Sequence, residues 1–193
     1  MVKKILFTLI AVGLLSATSG LGGLAVFTDQ AANDANTFTT GTVDISTAPA
    51  TAFITYSNMA PGDTTTQSLV VSNDGSLELR YAISSSATDT DLKGLKDQLV
   101  LTVKTIDVTL PATPCDDFDG TQLYTGDLDD GATGYLVGDP AQGAQAGDRV
   151  LASLANETLC FRVELPLTTG DAFQDATTTA TFTFDAEQTI NNP

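Results

Sequence analysis

In the stretch Thr178-Thr179-Ala180-Thr181-Phe182-Thr183-Phe184-Asp185, alanine and phenylalanine at 180, 182 and 184 alternate with threonine at 179, 181 and 183. Successive side chains of a β-strand point to opposite faces, so a period of two marks a strand with one apolar and one polar side. The pattern recurs upstream. Glu157 to Leu165 reads as a strand, as does Leu99 to Val108, which Pro111 and Pro114 end. Thr40 to Ile45 is predicted as the first strand, with Thr42 and Asp44 on one face and Val43 and Ile45 on the other. Phe53 to Tyr56 follows as a second. The Ala60-Pro61-Gly62-Asp63 turn leads into Thr65 to Ser72, and Asn73-Asp74-Gly75-Ser76 turns the chain into Leu77 to Ser84, so residues 53–84 are expected to form a meander.

Helical periodicity is scarce. Asp91 to Gln98 is the one short helix expected, with Leu92, Leu95 and Leu99 at helical spacing behind acidic residues. Pro114 to Gly147 is rich in glycine, aspartate and alanine and reads as a long surface excursion tied down by Cys115, with only Gln122 to Tyr124 and Tyr135 to Val137 structured. About eight short strands without a βαβ rhythm predict an all-β chain of two packed antiparallel sheets, of jelly-roll or immunoglobulin type. The chain has no tryptophan, which an immunoglobulin core would want, so a jelly roll is favoured.

Ahead of these strands, Lys3-Lys4 and an apolar run from Ile5 to Leu15 have the form of a secretory signal, and Gly23 and Ala25 supply the small side chains that a signal peptidase needs. Cleavage is expected between Ala25 and Val26; an uncleaved leader would instead anchor the chain in a membrane. The expected organisation is a signal peptide over 1–25, an extended segment over 26–38 and one domain over 39–193. The formal net charge is −16 for the whole chain, and becomes more negative once Lys3 and Lys4 are removed. Such a charge opposes binding to nucleic acid or anionic lipid and suits solubility outside the cell. The two cysteines, Cys115 and Cys160, fit one disulfide in an oxidising compartment; two buried free thiols are the other reading.

The chain has no histidine, which removes Ser-His-Asp and Cys-His catalysis and every histidine-based zinc motif. Its aspartates cluster in glycine-rich loops, where solvated acids are the ordinary finding, and the residues therefore predict a chain that is not an enzyme and carries no cofactor. Asp116, Asp117 and Asp119 form one acidic cluster and Asp127, Asp129 and Asp130 another; both offer oxygen ligands that calcium takes, without the twelve-residue pattern of an EF-hand. Leu110-Pro111-Ala112-Thr113-Pro114 has a proline where a sortase signal needs glycine and reads as an interstrand turn. Asn156-Glu157-Thr158 matches the glycosylation sequon, a short pattern that often arises by chance.

Several short blocks, taken in order, resemble the TasA/camelysin family of secreted filament proteins. Ala25-Val26-Phe27-Thr28-Asp29 resembles the family's start after a SipW-type signal, and Phe38-Thr39-Thr40-Gly41-Thr42-Val43-Asp44-Ile45 its first strand. Asn58 to Asp63 and Asn73 to Leu77 take the places of the family's two turn blocks, and Phe184-Asp185-Ala186-Glu187-Gln188 that of its closing strand. The resemblance implies a jelly-roll subunit, cut by a SipW-like signal peptidase and secreted to the extracellular matrix or cell surface. There it would polymerise with itself into biofilm fibres. It further implies that the mature N-terminal segment completes a sheet of the next subunit. Here that donor would run from Val26 to Phe38, with Val26, Phe27, Ala31, Ala35 and Phe38 as its apolar residues. The alternatives are a monomeric extracellular module that binds calcium or a protein and, more remotely, the metallopeptidase activity for which camelysins are also described.

Overall fold

The computed structural model describes residues 35–109 and 114–192. The expected leader, the Ala25-Val26 junction and donor residues Val26, Phe27 and Ala31 lie outside the described residues, as do 110–113 of the expected turn. The chain divides into two units, Met1–Thr39 and Thr40–Pro193. In the first, residues 35–39 are exposed and irregular.

The second unit is an antiparallel β-sandwich of nine strands among the described residues: β1 Ile45–Ala48, β2 Thr64–Asn73, β3 Leu79–Ala87, β4 Val100–Thr105, β5 Gln122–Asp127, β6 Tyr135–Val137, β7 Arg149–Leu151, β8 Asn156–Glu164 and β9 Ala180–Gln188. One sheet has the order β1-β2-β8-β4-β5. In the other, β3 carries β6 and β7 on one side and β9 on the other. Alternation supplies each sheet with an inner apolar face: Leu69 and Val71, Leu101 and Val103, and Leu159, Phe161 and Val163 from the first meet Leu79, Tyr81 and Ile83 from the second in a single core. No helix among the described residues is long and apolar enough to cross a membrane.

The structure corrects four readings of the sequence. Phe53 to Tyr56 is not a strand: its backbone pairs with nothing among the described residues, and it is Phe53 and Ile54 that pack on the core. Residues 40–44 likewise lie outside a ladder, because their neighbour is a turn and not a strand. Leu77 donates to the Thr42 carbonyl at 3.1 Å and Asp74 to that of Asp44 at 2.9 Å. The meander is absent, since β2 and β3 belong to different sheets. Between them the buried Asn73 amide donates to the carbonyls of Leu77, Leu151 and Ala152 and accepts from Gly75, holding a corner that crosses from one sheet to the other. The helix shrinks to one turn, α1 Leu95–Gln98, since Leu92 and Gly94 adopt positive φ of 57° and 68° that a right-handed helix excludes. The 114–147 excursion also gives each sheet a strand, β5 to the first and β6 to the second.

Two loops cover the sheets from outside. Cys115 and Cys160 form the expected disulfide, 45 residues apart, and pin the 115–119 loop on β8. There the Phe118 ring lies under the Lys104 ammonium, 4.6 Å from the centroid, and the Arg162 guanidinium, 3.8 Å away. On the second sheet the 139–148 loop lies over Arg80, whose Nε pairs with Glu187 at 2.7 Å, while Gly143 N–H donates to the same carboxylate at 3.0 Å.

Candidate functional site

The alternating strand that defines the fold class is also the exposed edge of its sheet. Among the described residues β9 pairs with β3 alone, in an uninterrupted register from Leu79↔Gln188 to Ala87↔Ala180. In an antiparallel pair, opposite residues alternate between exchanging both hydrogen bonds and exchanging none. Two bonds flanking the ladder set the phase. Thr88 N–H donates to the Thr179 carbonyl at 3.0 Å, and Thr189 N–H to that of Glu78 at 3.2 Å. Thr181, Thr183, Asp185 and Glu187 therefore turn their main-chain groups toward β3, and Ala180, Phe182, Phe184 and Ala186 turn theirs outward. Among the described residues, no hydrogen bond reaches those four from another segment. Further along, the Gln188 carbonyl is taken by the Asn192 side chain at 3.2 Å.

The inner side chains of this edge are only half-buried, and they open into a groove of about 1180 Å³. Its floor includes Leu69 of β2 and Val163 of β8, with Leu165 just beyond that strand; Phe182 and Phe184 form one wall and residues 49–59 the other. The Phe53 ring stands edge-on to Phe161 with centroids 5.1 Å apart, and 5.7 Å from Phe182. The arrangement combines donors and acceptors along a strand, unpaired among the described residues, with a groove of mixed polar and apolar lining beside it, the two elements of strand addition. Sequence marked β9 as a strand but could not mark it as an edge.

The glycine blocks position the start of the domain. A Cβ on Gly75 would lie 2.5 Å from the Thr42 carbonyl oxygen, and one on Gly41 would meet the Leu77 side chain at 2.5 Å. The Gly41-Thr42 and Gly75-Ser76-Leu77 blocks thus interlock, with Thr42 N–H donating to the Ser76 hydroxyl at 2.9 Å. Of the expected donor residues in the described part, Ala35 is exposed and Phe38 is 93% exposed.

The acidic clusters are engaged in holding loops. Buried Asp107 accepts from the N–H groups of Asp117 and Asp119, Asp119 accepts from Val108 N–H at 2.8 Å, and Thr109 donates to both Asp117 and Asp119; Asp116 is exposed. In the second cluster Asp129 pairs with Lys96 at 3.0 Å, Asp130 accepts from the Thr133 hydroxyl at 2.5 Å, and Asp127 is exposed. Partial burial, together with the carboxylates of Asp130, Asp127 and Asp129, pushes the nearby Tyr124 hydroxyl up to about 12.

Residues 1–104 match the model of a family described as camelysin metallo-endopeptidase. No curated protein matches the chain. The family description overturns the expectation, drawn from the missing histidine, that the chain is not an enzyme: absence of one familiar ligand type excludes the motifs built on it and not peptidase activity as such. The donor set does not fit a resident metal of the kind that name implies. The chain contains no histidine, both cysteines are joined, and no group of three or more acidic, cysteine or histidine side chains among the described residues could hold an ion.

Proposed function

The chain belongs to the camelysin metallo-endopeptidase family, and from that footing we propose that it is a secreted subunit that adds residues 26–38 of a second copy to the edge of β9 and so polymerises into extracellular fibres. The observation that carries this reading is the outward-facing backbone of Ala180, Phe182, Phe184 and Ala186 beside a groove lined in part by Leu69, Val163, Leu165, Phe182 and Phe184. An added strand gains main-chain hydrogen bonds from that edge and places alternate side chains in the groove. Donor and acceptor are different surfaces of the chain. The contact is therefore heterologous and propagates as an open filament instead of closing into a dimer. Removal of residues 1–25 by a SipW-like signal peptidase frees Val26 and with it the donor, and the acidic composition keeps the unassembled subunit soluble at the cell surface or in the matrix.

Electron microscopy of secreted protein with and without residues 26–38 tests the proposal. Filaments are expected from the first only, and filaments that survive the deletion refute strand donation by that segment.

The family description favours a second reading, metal-dependent cleavage of peptide bonds. It is measured directly, as hydrolysis of an unfolded protein substrate by the purified chain. Loss of cleavage on chelation and recovery with added divalent metal supports it, and hydrolysis indifferent to chelator counts against it.

A further inference from the structure

We infer that residues 49–59 are a built-in competitor for the strand site, a strap that walls the groove beside β9 in the free subunit, seats Phe53 in the path of an added strand, and must swing out before a strand is captured. This rests on the acceptor reading of β9 given above.

Three features of the strap carry the inference. Its main chain forms no hydrogen bond among the described residues, although β1 before it and β2 after it are both laddered. Lifting it therefore breaks no backbone pairing, in contrast to lifting any strand of the sandwich. It is held instead by half-buried side chains, Phe53, Ile54 and Met59, packed on the core. Its principal anchor also stands where an added strand would go. Directly opposed side chains on neighbouring strands have Cβ atoms about 5 Å apart, and the Phe53 ring lies 5.7 Å from that of Phe182. An inner side chain of a strand laid against β9 at the usual spacing of about 4.8 Å would need the seat that Phe53 fills. Strap and incoming strand thus exclude each other, and the apparent affinity of the free subunit for a strand is lowered by the fraction of molecules with the strap closed.

The chain has no tryptophan, so the F53W variant carries a single indole reporter in the strap. The full chain is titrated with a fluorescently labelled synthetic peptide of residues 26–38. Binding is read by the peptide's anisotropy and strap position by indole emission, beside an F53A variant that removes the anchor. The expected result is peptide binding accompanied by a red shift of the indole toward its emission in water, and at least tenfold tighter binding by F53A. Binding to F53A alone also supports the strap. Peptide that binds F53W with unchanged emission and binds F53A no more tightly overturns the strap while leaving the acceptor site standing. Peptide that binds no variant overturns both. Should F53A fail to fold, hydrogen exchange on the wild type with and without peptide decides: exchange in residues 49–59 that stays the same or slows when β9 becomes protected overturns the strap, and faster exchange there supports it.

Discussion

Two proline substitutions three residues apart, one in each phase of the β9 backbone pattern, should behave in opposite ways. Thr183 turns its N–H toward Ser84 in the β3 ladder, and Ala186 turns its N–H to the open edge. Thr183→Pro deletes a ladder donor and leaves the Ser84 carbonyl without its partner, a loss of about 2 kcal/mol. In a domain of this size that lowers the Tm by roughly 4–8 °C. Ala186→Pro removes an N–H that bonds nothing among the described residues, at an edge position where proline is tolerated, and costs less than about 1 kcal/mol. Its effect falls on assembly: the missing donor and the pyrrolidine ring at the edge should slow filament growth at least tenfold, whereas Thr183→Pro subunits that remain folded still present an intact edge. Thermal melting followed by circular dichroism, and filament growth followed by light scattering, separate the two effects. If Ala186→Pro lowers the Tm as much as Thr183→Pro does, the phase of the ladder is wrong and the open edge is misassigned. If Ala186→Pro leaves both Tm and filament growth untouched, β9 is not where a strand is added.

The other predictions concern stability. Replacing both Cys115 and Cys160 by serine reopens a 45-residue loop and should lower stability by up to about 4 kcal/mol, seen as a shift of the urea midpoint that reducing the wild type reproduces. A Cβ on Gly120 would lie 2.1 Å from the Thr105 carbonyl oxygen, so Gly120→Ala should cost about 1–3 kcal/mol, while Gly170→Ala, with nothing within 4 Å, should stay within about 0.5 kcal/mol in the same denaturation assay. Burial raises the Glu187 carboxyl, but hydrogen bonds from Asn192, Arg80 and Gly143 outweigh it and hold the group below the ordinary range. A depressed carboxylate stabilises the fold fully above its unfolded pKa of about 4.3 and loses that contribution as the pH falls through the folded value. Glu187→Gln should therefore flatten the acid side of the curve of Tm against pH; an unchanged acid limb counts against the pairing.

How much could be read in the sequence depended on where the pairing information lay. β8 and β9 were legible because the apolar alternation of Leu159, Phe161 and Val163, and of Ala180, Phe182 and Phe184, survives in the final structure as the side of each strand that packs on the core. Phe53 to Tyr56 carries the same apolar character, yet Phe53 and Ile54 half-bury with no backbone partner among the described residues, and composition does not report whether a neighbouring strand exists. The Asn73 corner misled for a related reason. An Asn-Asp-Gly-Ser run signals a turn, but whether the chain returns beside itself or crosses to the facing sheet depends on Leu151 and Ala152, distant in sequence, whose carbonyls hold the Asn73 amide. The acidic clusters were visible as possible ligands, and only their partners, such as Lys96 for Asp129 and the Val108 N–H for Asp119, reveal them as loop anchors.

By itself, then, the sequence determined what is local: strand periodicity and hence an all-β class, the turn residues, an acidic and histidine-free chemistry, and two cysteines available to pair. These follow from side-chain direction, backbone sterics and charge, which each residue carries wherever it lies. Only the tertiary structure decided which strand is left at an edge among the described residues, which main-chain groups of β9 face outward, and that Phe53 of the 49–59 segment packs beside Phe182. Those are long-range outcomes, since a backbone group is paired or unpaired according to what the rest of the chain brings beside it.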